Sequence, residues 1–418
     1  MTIEVHRHPR NRRTRARAGI AGTALLLGTA LLSTACQSST GSAPADERGR
    51  LVEVQHLRTY SPDDVRAELT ANEFDTGAVK FGVDTYRLTY RTVGADNQAT
   101  TASGLLALPV DDQHELSTVV YEHGTQPTKS EAPSTTQDSG DLAATLTYAS
   151  AGFAGVAPDY LGLGLDPNPH PYLDIPSETT ASVDMLRAAR AQTATLGRQL
   201  RVDVAIAGFS QGGPAAMGLA RALQANADNN FRATAVAVIS GPLDIRNAEL
   251  PALFDGRVAP AEGAFYTAYL LVSWNRLHGL YRSPGELFQT LYATTVEQLF
   301  DGTHAFEDIV AALPPDLDHL LTPQGIALLR NPTGPFATAL TTADSTCTDW
   351  TPTVPIRLYT GSQDRDVTPN NSADCQTALR ARGVEATIVD LGAVDHNGSG
   401  VHGTADAVRW FLESNTAN

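Results

Sequence analysis

Hydrophobic and polar residues alternate early in the chain and then give way to continuous apolar runs. Alternation over residues 86–92 and 99–110, separated by the turn sequence GADNQ, predicts a hairpin of two antiparallel strands. The apolar runs that follow predict strands buried on both faces; they are LSTVVYEHGT, GFAGVAPDY, VAIAGF and FRATAVAVISGPLD. Helical patterns lie among them, over residues 142–149, over 177–197 and from Gln211 onward. This order predicts an α/β fold with a mostly parallel sheet.

The strand pattern stops between residues 246 and 353. Three apolar stretches in this region predict helices; they are AFYTAYLLVSWNRLHGLY, PGELFQTLYATTVEQLF and HLLTPQGIALLR. Strand patterns return at VPIRLYTG and EATIVDLG, and TADAVRWFLES predicts a closing helix. We therefore expect a core of residues 51–245 and 354–418 with a helical cap, residues 246–353, over the carboxyl edge of the sheet, where open α/β sheets bind ligands. The alternative is a structural insertion on a far face of the core.

The first 50 residues have the features of an export signal followed by a tether. Six arginines between residues 7 and 17 precede an apolar stretch, residues 20–32, which is too short to span a bilayer comfortably. The sequence LSTAC then resembles a bacterial lipobox, although Ser33 stands where leucine is usual. We expect a signal peptide over residues 1–35, lipidation of Cys36, a polar tether to residue 50, and an exported lipoprotein anchored to the cell membrane. A secreted, soluble protein is the alternative.

The cysteine count and the net charge bear on disulfide bonding, cofactors and partners. If Cys36 is acylated, Cys347 and Cys375 remain and can form a disulfide bond in an exported protein. No cysteine or histidine spacing predicts a zinc site, and no glycine-rich nucleotide motif is present, so we expect neither metal nor cofactor. The formal net charge of −16 argues against a nucleic-acid partner.

The sequence GFSQG places Ser210 between a predicted strand and a predicted helix. A nucleophilic serine requires this context, because it sits on a sharp turn at the top of the sheet where glycines allow the backbones to approach closely. A serine also needs a base and a carboxylate that orients the base, and both should follow later strands. Asp364 follows VPIRLYTG and His396 follows EATIVDLG, with Asp366 and His402 as their respective rivals.

Several sequence blocks resemble the α/β-hydrolase superfamily, and more narrowly the secretory lipase family and its bacterial relatives. They occur in family order and cover most of residues 86–413; they are YEHGT, GFAGVAPDYLGLG, HPYL, SVDMLRAAR, GFSQGG, YTGSQDRDVTP and VDHNGSG. The resemblance implies an α/β-hydrolase fold, a triad of Ser210, Asp364 and His396, a large lid between the sixth and seventh core strands, and hydrolysis of carboxylic esters.

The mechanism expected for such a serine hydrolase proceeds through an acyl-enzyme on a small-molecule ester or lipid substrate. The developing oxyanion needs preorganised donors, for which the backbone N–H groups of Gln211 and Thr125 are the candidates. His123 and His170 are expected to be structural. Two other functions stay open: a serine exopeptidase, which cap carboxylates binding a substrate amine would favour, and a catalytically inactive binding protein of the cell surface.

Overall fold

A nine-stranded sheet forms the centre of the computed structural model, which describes residues 47–416. The predicted signal peptide, Cys36 and the tether up to residue 46 lie outside the described residues. The strands in chain order are β1 (Leu51–Tyr60), β2 (Gly82–Val93), β3 (Ala99–Val110), β4 (Glu115–Glu122), β5 (Ala154–Pro158), β6 (Gln199–Phe209), β7 (Arg232–Ile239), β8 (Ile356–Thr360) and β9 (Thr387–Asp390).

The strands lie in the order β1-β2-β3-β5-β4-β6-β7-β8-β9. Pairing from β1 to β5 through β2 and β3 is antiparallel, and pairing from β5 through β4 to β9 is parallel. The predicted hairpin is β2 and β3, which pair Tyr86 with Leu106. The mostly parallel sheet with an N-terminal antiparallel hairpin is confirmed.

Helices cover both faces of this sheet and also fill the long insertion after β7. They are α1 (Pro62–Ala71), α2 (Gly140–Ala151), α3 (Ile175–Thr195), α4 (Gly212–Gln224), α5 (Leu250–Asp255), α6 (Pro260–His278), α7 (Thr290–Ala293), α8 (Val296–Leu299), α9 (Phe306–Ala312), α10 (Leu317–Leu320), α11 (Pro323–Arg330), α12 (Gly334–Ala343), α13 (Asn370–Arg380) and α14 (His396–Thr416).

Each face of the sheet buries its own apolar cluster. Met185 of α3, Met217 of α4 and Leu379 of α13 pack on one face. On the other face, α2 contributes Leu146 and α14 contributes Phe411. Burial on both faces explains why the central strands are continuous apolar runs, since neither face meets water.

The insertion between β7 and β8 contains α5 to α12 and has a separate apolar cluster. Counted from the hairpin, β7 and β8 are the sixth and seventh core strands. Phe265, Tyr269 and Trp274 of α6 lie in this cluster together with Tyr172 and Leu173, which precede α3. The cap therefore packs directly on the segment that enters α3.

A disulfide bond joins Cys347 to Cys375, as predicted from the cysteine count, with the two Cα atoms 5.3 Å apart. Cys347 ends the 3-10 turn after α12, and Cys375 lies in α13. The bond therefore links the end of the cap to the core. Within residues 47–416, no helix combines the length and the apolar character needed to cross a membrane.

Candidate active site

Ser210 occupies a sharp turn between β6 and α4. Its φ is 53°, in the left-handed region that is unfavourable for residues with a side chain. Its N–H donates to the carbonyl of Ile239 on β7 at 2.9 Å, and its own carbonyl accepts from the N–H of Gly213 at 2.8 Å. Backbone strain of this kind persists only where surrounding contacts hold it, and it concentrates at functional sites.

Two glycines make this turn possible. A Cβ atom on Gly208 would lie 1.9 Å from the carbonyl oxygen of Gly212, and one on Gly212 would lie 2.0 Å from the carbonyl oxygen of Glu122. Neither neighbour is a flexible side chain that could move away. The strand and helix can therefore approach at Ser210 only because both positions lack a side chain.

Ser210, His396 and Asp364 form one continuous line of hydrogen bonds. The Oγ of Ser210 lies 2.9 Å from Nε2 of His396, and Nδ1 of His396 lies 2.8 Å from Oδ2 of Asp364. Asp364 follows β8 and His396 is the first residue of α14. All three side chains are buried. The structure thus brings together Ser210 and His396, which are 186 positions apart in the sequence, and Asp364, which lies 32 positions before His396.

The second oxygen of Asp364 is also engaged. Its Oδ1 accepts from the backbone N–H groups of Asp366 at 3.0 Å and Val367 at 2.9 Å. These bonds fix the carboxylate so that its other oxygen faces His396. Similarly, the hydroxyl of Ser399 donates to the carbonyl of His396 at 2.6 Å and ties down the start of α14.

The two rival residues have different surroundings. The Oδ2 of Asp366 accepts from the hydroxyl of Tyr266 in the cap, at 2.9 Å. His402 lies on the exposed side of α14, six residues beyond His396. Neither rival takes part in the line of hydrogen bonds described above.

The electrostatic environment of His396 favours its charged form. Burial works against the imidazolium, but the hydrogen bond that Nδ1 of His396 donates to Asp364 and the negative charges of Asp364 and Asp366 outweigh burial and raise the pKa of His396. Glu249 lies just before α5, and its own burial raises its pKa to about 8. Its Oε1 accepts from the N–H of Thr368 at 2.9 Å and from the amide of Asn371.

Gln211 and Thr125, the candidate oxyanion donors, both lie near the candidate nucleophile. Gln211 directly follows Ser210 at the N-terminus of α4. Thr125 follows β4 and lines the same cleft as Ser210 and His396. The side chain of Gln211 is buried and donates to Glu178 and His170, which is a pair of contacts that no sequence motif indicates.

Two cavities meet at Ser210. One has an empty volume of about 620 Å³ and is lined mainly by apolar side chains, including Leu250, Leu253 and Leu270 of the cap. The other, of about 1280 Å³, is a more polar cleft whose lining includes Asn72, Thr125, Gln126, Asp141 and His396. Tyr266 and Asp366 line both cavities and are joined by a hydrogen bond, so this pair stands between them.

In the part of the chain that the structure describes, no group of three or more His, Cys, Asp or Glu side chains is arranged to hold a metal ion. The chemistry that the arrangement supports is that of a serine activated by a histidine.

The chain is similar to several solved structures. A protein of Legionella pneumophila that is provisionally assigned as a hydrolase is 25% identical with a TM-score of 0.79, and the match covers 87% of this chain and 98% of that one. The rice cell wall degrading esterase LipA from Xanthomonas oryzae is 27% identical with a TM-score of 0.73, over 87% and 97% of the two chains. Candida antarctica lipase A shares the fold at 16% identity and a TM-score of 0.62, over 84% and 79%. No protein-family model and no curated protein matches the chain.

Proposed function

Because the chain is an α/β-hydrolase of the lipase and esterase type, we propose that it cleaves carboxylic esters through a Ser210–His396–Asp364 triad and an acyl-enzyme. The observation that carries this proposal is the line of hydrogen bonds, 2.9 Å and 2.8 Å long, that starts from a serine on a strained turn.

In the proposed reaction, the Oγ of Ser210 attacks the acyl carbon while Nε2 of His396 takes the hydroxyl proton. The imidazolium that forms is stabilised by Asp364, which also holds Nδ1 as the protonated nitrogen. His396 then gives its proton to the departing alkoxide, leaving the acyl group on Ser210. Water, deprotonated by the same histidine, attacks the acyl-enzyme and releases the carboxylic acid.

The negative charge on the former carbonyl oxygen requires hydrogen-bond donors that are already in place. We assign this role to the backbone N–H groups of Gln211 and Thr125. Gln211 lies at the N-terminus of α4, where the helix dipole also favours negative charge.

The two cavities suggest how an ester would lie across Ser210. The apolar cavity under the cap suits the acyl chain, because burying apolar surface there is favourable. The wider polar cleft suits the alcohol, which must leave before water can enter. Hydrolysis of a small-molecule ester or lipid fits this arrangement.

One observation favours the exopeptidase as a second candidate. Glu249 and Asp366 place carboxyl groups in the lining of the apolar cavity, where they could meet a substrate amine. Both groups already accept hydrogen bonds from the protein, Glu249 from Thr368 and Asp366 from Tyr266. We therefore place ester hydrolysis first.

A parallel assay separates the two activities. Purified protein is given p-nitrophenyl esters of increasing acyl length and aminoacyl-anilides, with Ser210→Ala as the control. We expect ester turnover that rises with acyl length until the cavity is filled, no anilide turnover, and no activity in the variant. Anilide cleavage that outpaces ester cleavage would establish the exopeptidase instead.

The proposal also includes export and anchoring. The arginine-rich start, the short apolar stretch and the cysteine after Ala35 support membrane attachment through a lipid on Cys36. Such an anchor would hold the enzyme at the cell surface.

A further inference from the structure

The segment between β5 and α3 contacts both candidate oxyanion donors through buried side chains. His170 and Tyr172 belong to this segment and are 4% exposed each. His170 contacts the side chain of Gln211, and Tyr172 contacts the side chain of Thr125. One short stretch of chain thus contacts the side chains of both candidate donor residues.

The contact with Gln211 defines the position of its amide. The Nε2 group of Gln211 lies 2.7 Å from Oε1 of Glu178 and 2.9 Å from Nε2 of His170, so both of its N–H bonds have acceptors. Nδ1 of His170 donates to the carbonyl of Leu161 at 2.6 Å, which leaves Nε2 as the acceptor. Burial lowers the pKa of His170 to about 4, so the ring stays neutral and keeps this role.

The contact with Thr125 is a hydroxyl pair. The hydroxyl of Tyr172 lies 3.2 Å from Oγ1 of Thr125. The ring of Tyr172 stacks on that of Tyr269 in α6, with centroids 4.3 Å apart and planes inclined by 1°. Stacking on a helix of the cap restricts how far this hydroxyl can move.

Helix α6 also holds the backbone of the segment. The hydroxyl of Ser273 accepts from the N–H of Tyr172 at 2.8 Å and donates to the carbonyl of His170 at 3.0 Å. The indole N–H of Trp274 donates to the carbonyl of Tyr172 at 2.9 Å. The cap is therefore connected through this segment to both Gln211 and Thr125.

We propose that His170 and Tyr172 are positioning residues for the oxyanion hole, acting through the side chains of Gln211 and Thr125, and that α6 of the cap holds them in place. The inference rests on the proposed function. A backbone donor works only if its N–H points at the oxyanion, since a hydrogen bond weakens steeply as its angle closes. Removing one donor outright typically costs about 100- to 1000-fold in kcat, so a displaced donor should cost less, about tenfold.

The test removes single polar groups and compares kcat with KM. Tyr172→Phe keeps the stacked ring and loses only the hydroxyl, and Gln211→Met keeps the backbone N–H and loses the amide. The matched control is Tyr281→Phe, because Tyr281 is a buried cap tyrosine whose hydroxyl contacts Glu297 at 3.1 Å, outside the residues that line the two cavities. We expect about a tenfold loss of kcat in each test variant with KM within twofold, and wild-type kinetics in the control.

Two further measurements separate positioning from general destabilisation. A boronic acid that mimics the tetrahedral intermediate should bind both test variants about tenfold more weakly, at temperatures far below their unfolding. In addition, Tyr172→Phe should have no further effect in a Thr125→Val background, because the two changes break the same contact.

The inference would be overturned if Tyr172→Phe left kcat unchanged or weakened catalysis only by raising KM. It would also be overturned if the losses of Tyr172→Phe and Thr125→Val were additive. In each case ester hydrolysis itself would still stand. A wild-type protein without ester turnover would overturn the proposed function and this inference with it.

Discussion

The charge of His396 depends on the carboxylates of the loop that follows β8. Asp364 accepts a hydrogen bond from Nδ1 of His396 and stabilises its positive charge directly, whereas the carboxylate of Asp366 acts at longer range. The resulting rise in the pKa of His396 has a definite consequence for activity. A protonated imidazole cannot take the proton of Ser210, so activity is lost as the pH falls through the raised pKa.

The pH profile of ester turnover tests this electrostatic account. We expect the acidic limb of kcat/KM above about 6.5, the ordinary histidine value. Asp366→Asn should move this limb to lower pH, because it removes one of the charges that stabilise the imidazolium. An acidic limb below 6.5, or one that does not respond to Asp366→Asn, would contradict the account.

Asp364 and Asp366 can be compared directly to test which carboxylate orients His396. Asp364→Asn should lower kcat by about four orders of magnitude without unfolding the protein, because an amide favours the wrong tautomer of His396. Asp366→Asn should lower kcat by no more than about tenfold, since its carboxylate contacts Tyr266 instead. Both variants are compared by steady-state kinetics and circular dichroism. If Asp366→Asn lowered kcat more than Asp364→Asn, Asp366 rather than Asp364 would be the carboxylate that orients His396.

At the scale of single residues, local sequence was sufficient to propose Ser210, Asp364 and His396, because each follows a recognisable strand. The contacts of Tyr266 with Asp366 and of His170 with Gln211 were not foreseeable in this way. They join residues 100 and 41 positions apart, the first pair between the cap and the core and the second within the core. Contacts between such distant residues leave no periodic pattern in the sequence.

At the scale of elements, the turn from β6 to α4 is the most constrained part of the core. Gly212→Ala would force a Cβ to within 2.0 Å of the carbonyl oxygen of Glu122. We expect it to destabilise the protein by about 1–3 kcal/mol, as overpacking does, and to abolish ester turnover by displacing Ser210. Gly285→Ala is the control, because the nearest atom to its Cβ would be 4.0 Å away. Thermal unfolding and kinetics report both effects; an active, fully stable Gly212→Ala variant would contradict them.

Elements of the core were easier to predict than those of the cap. The buried strands are uniform apolar runs, α3 begins and ends two residues before its predicted limits, and α4 begins one residue after its predicted start. The cap stretch over residues 284–300 was predicted as one helix but contains only short turns, α7 and α8 among them. Pro323 likewise begins α11 and divides it from α10, because proline suits a first turn better than a helix interior.

Strand β1 was missed because it is a largely exposed edge strand without clear alternation.

At the scale of the whole molecule, the disulfide connects the end of the cap to the core helix that follows Asp364. Its loop spans 28 residues, and the chain-entropy model gives a stabilisation of about 3–4 kcal/mol. The double variant Cys347→Ser and Cys375→Ser should lower the free energy of unfolding by that amount in urea denaturation. Equal stability of the variant and the oxidised wild type would show that the bond does not stabilise the fold.

Anchoring also concerns the whole molecule. We expect a fatty-acid probe to label the wild-type protein in cells but not Cys36→Ser. Without the lipid, the variant should be released from the membrane or stay attached only through an uncleaved signal peptide. Equal labelling of the two proteins would contradict lipidation of Cys36, and a soluble wild-type product with a processed signal would favour the ordinary secretory signal.

The central claim is that Ser210 is the nucleophile of an ester hydrolase, and covalent labelling tests it most directly. A fluorophosphonate probe is added to the wild type, to Ser210→Ala and to Ser362→Ala, an exposed serine on the loop that precedes Asp364, and the modified peptide is identified by mass spectrometry. We predict one modification, at Ser210, in the wild type and in Ser362→Ala, with loss of ester turnover in proportion to labelling, and none in Ser210→Ala. Modification at another serine, or a folded wild type that turns over esters without reacting at Ser210, would contradict the account.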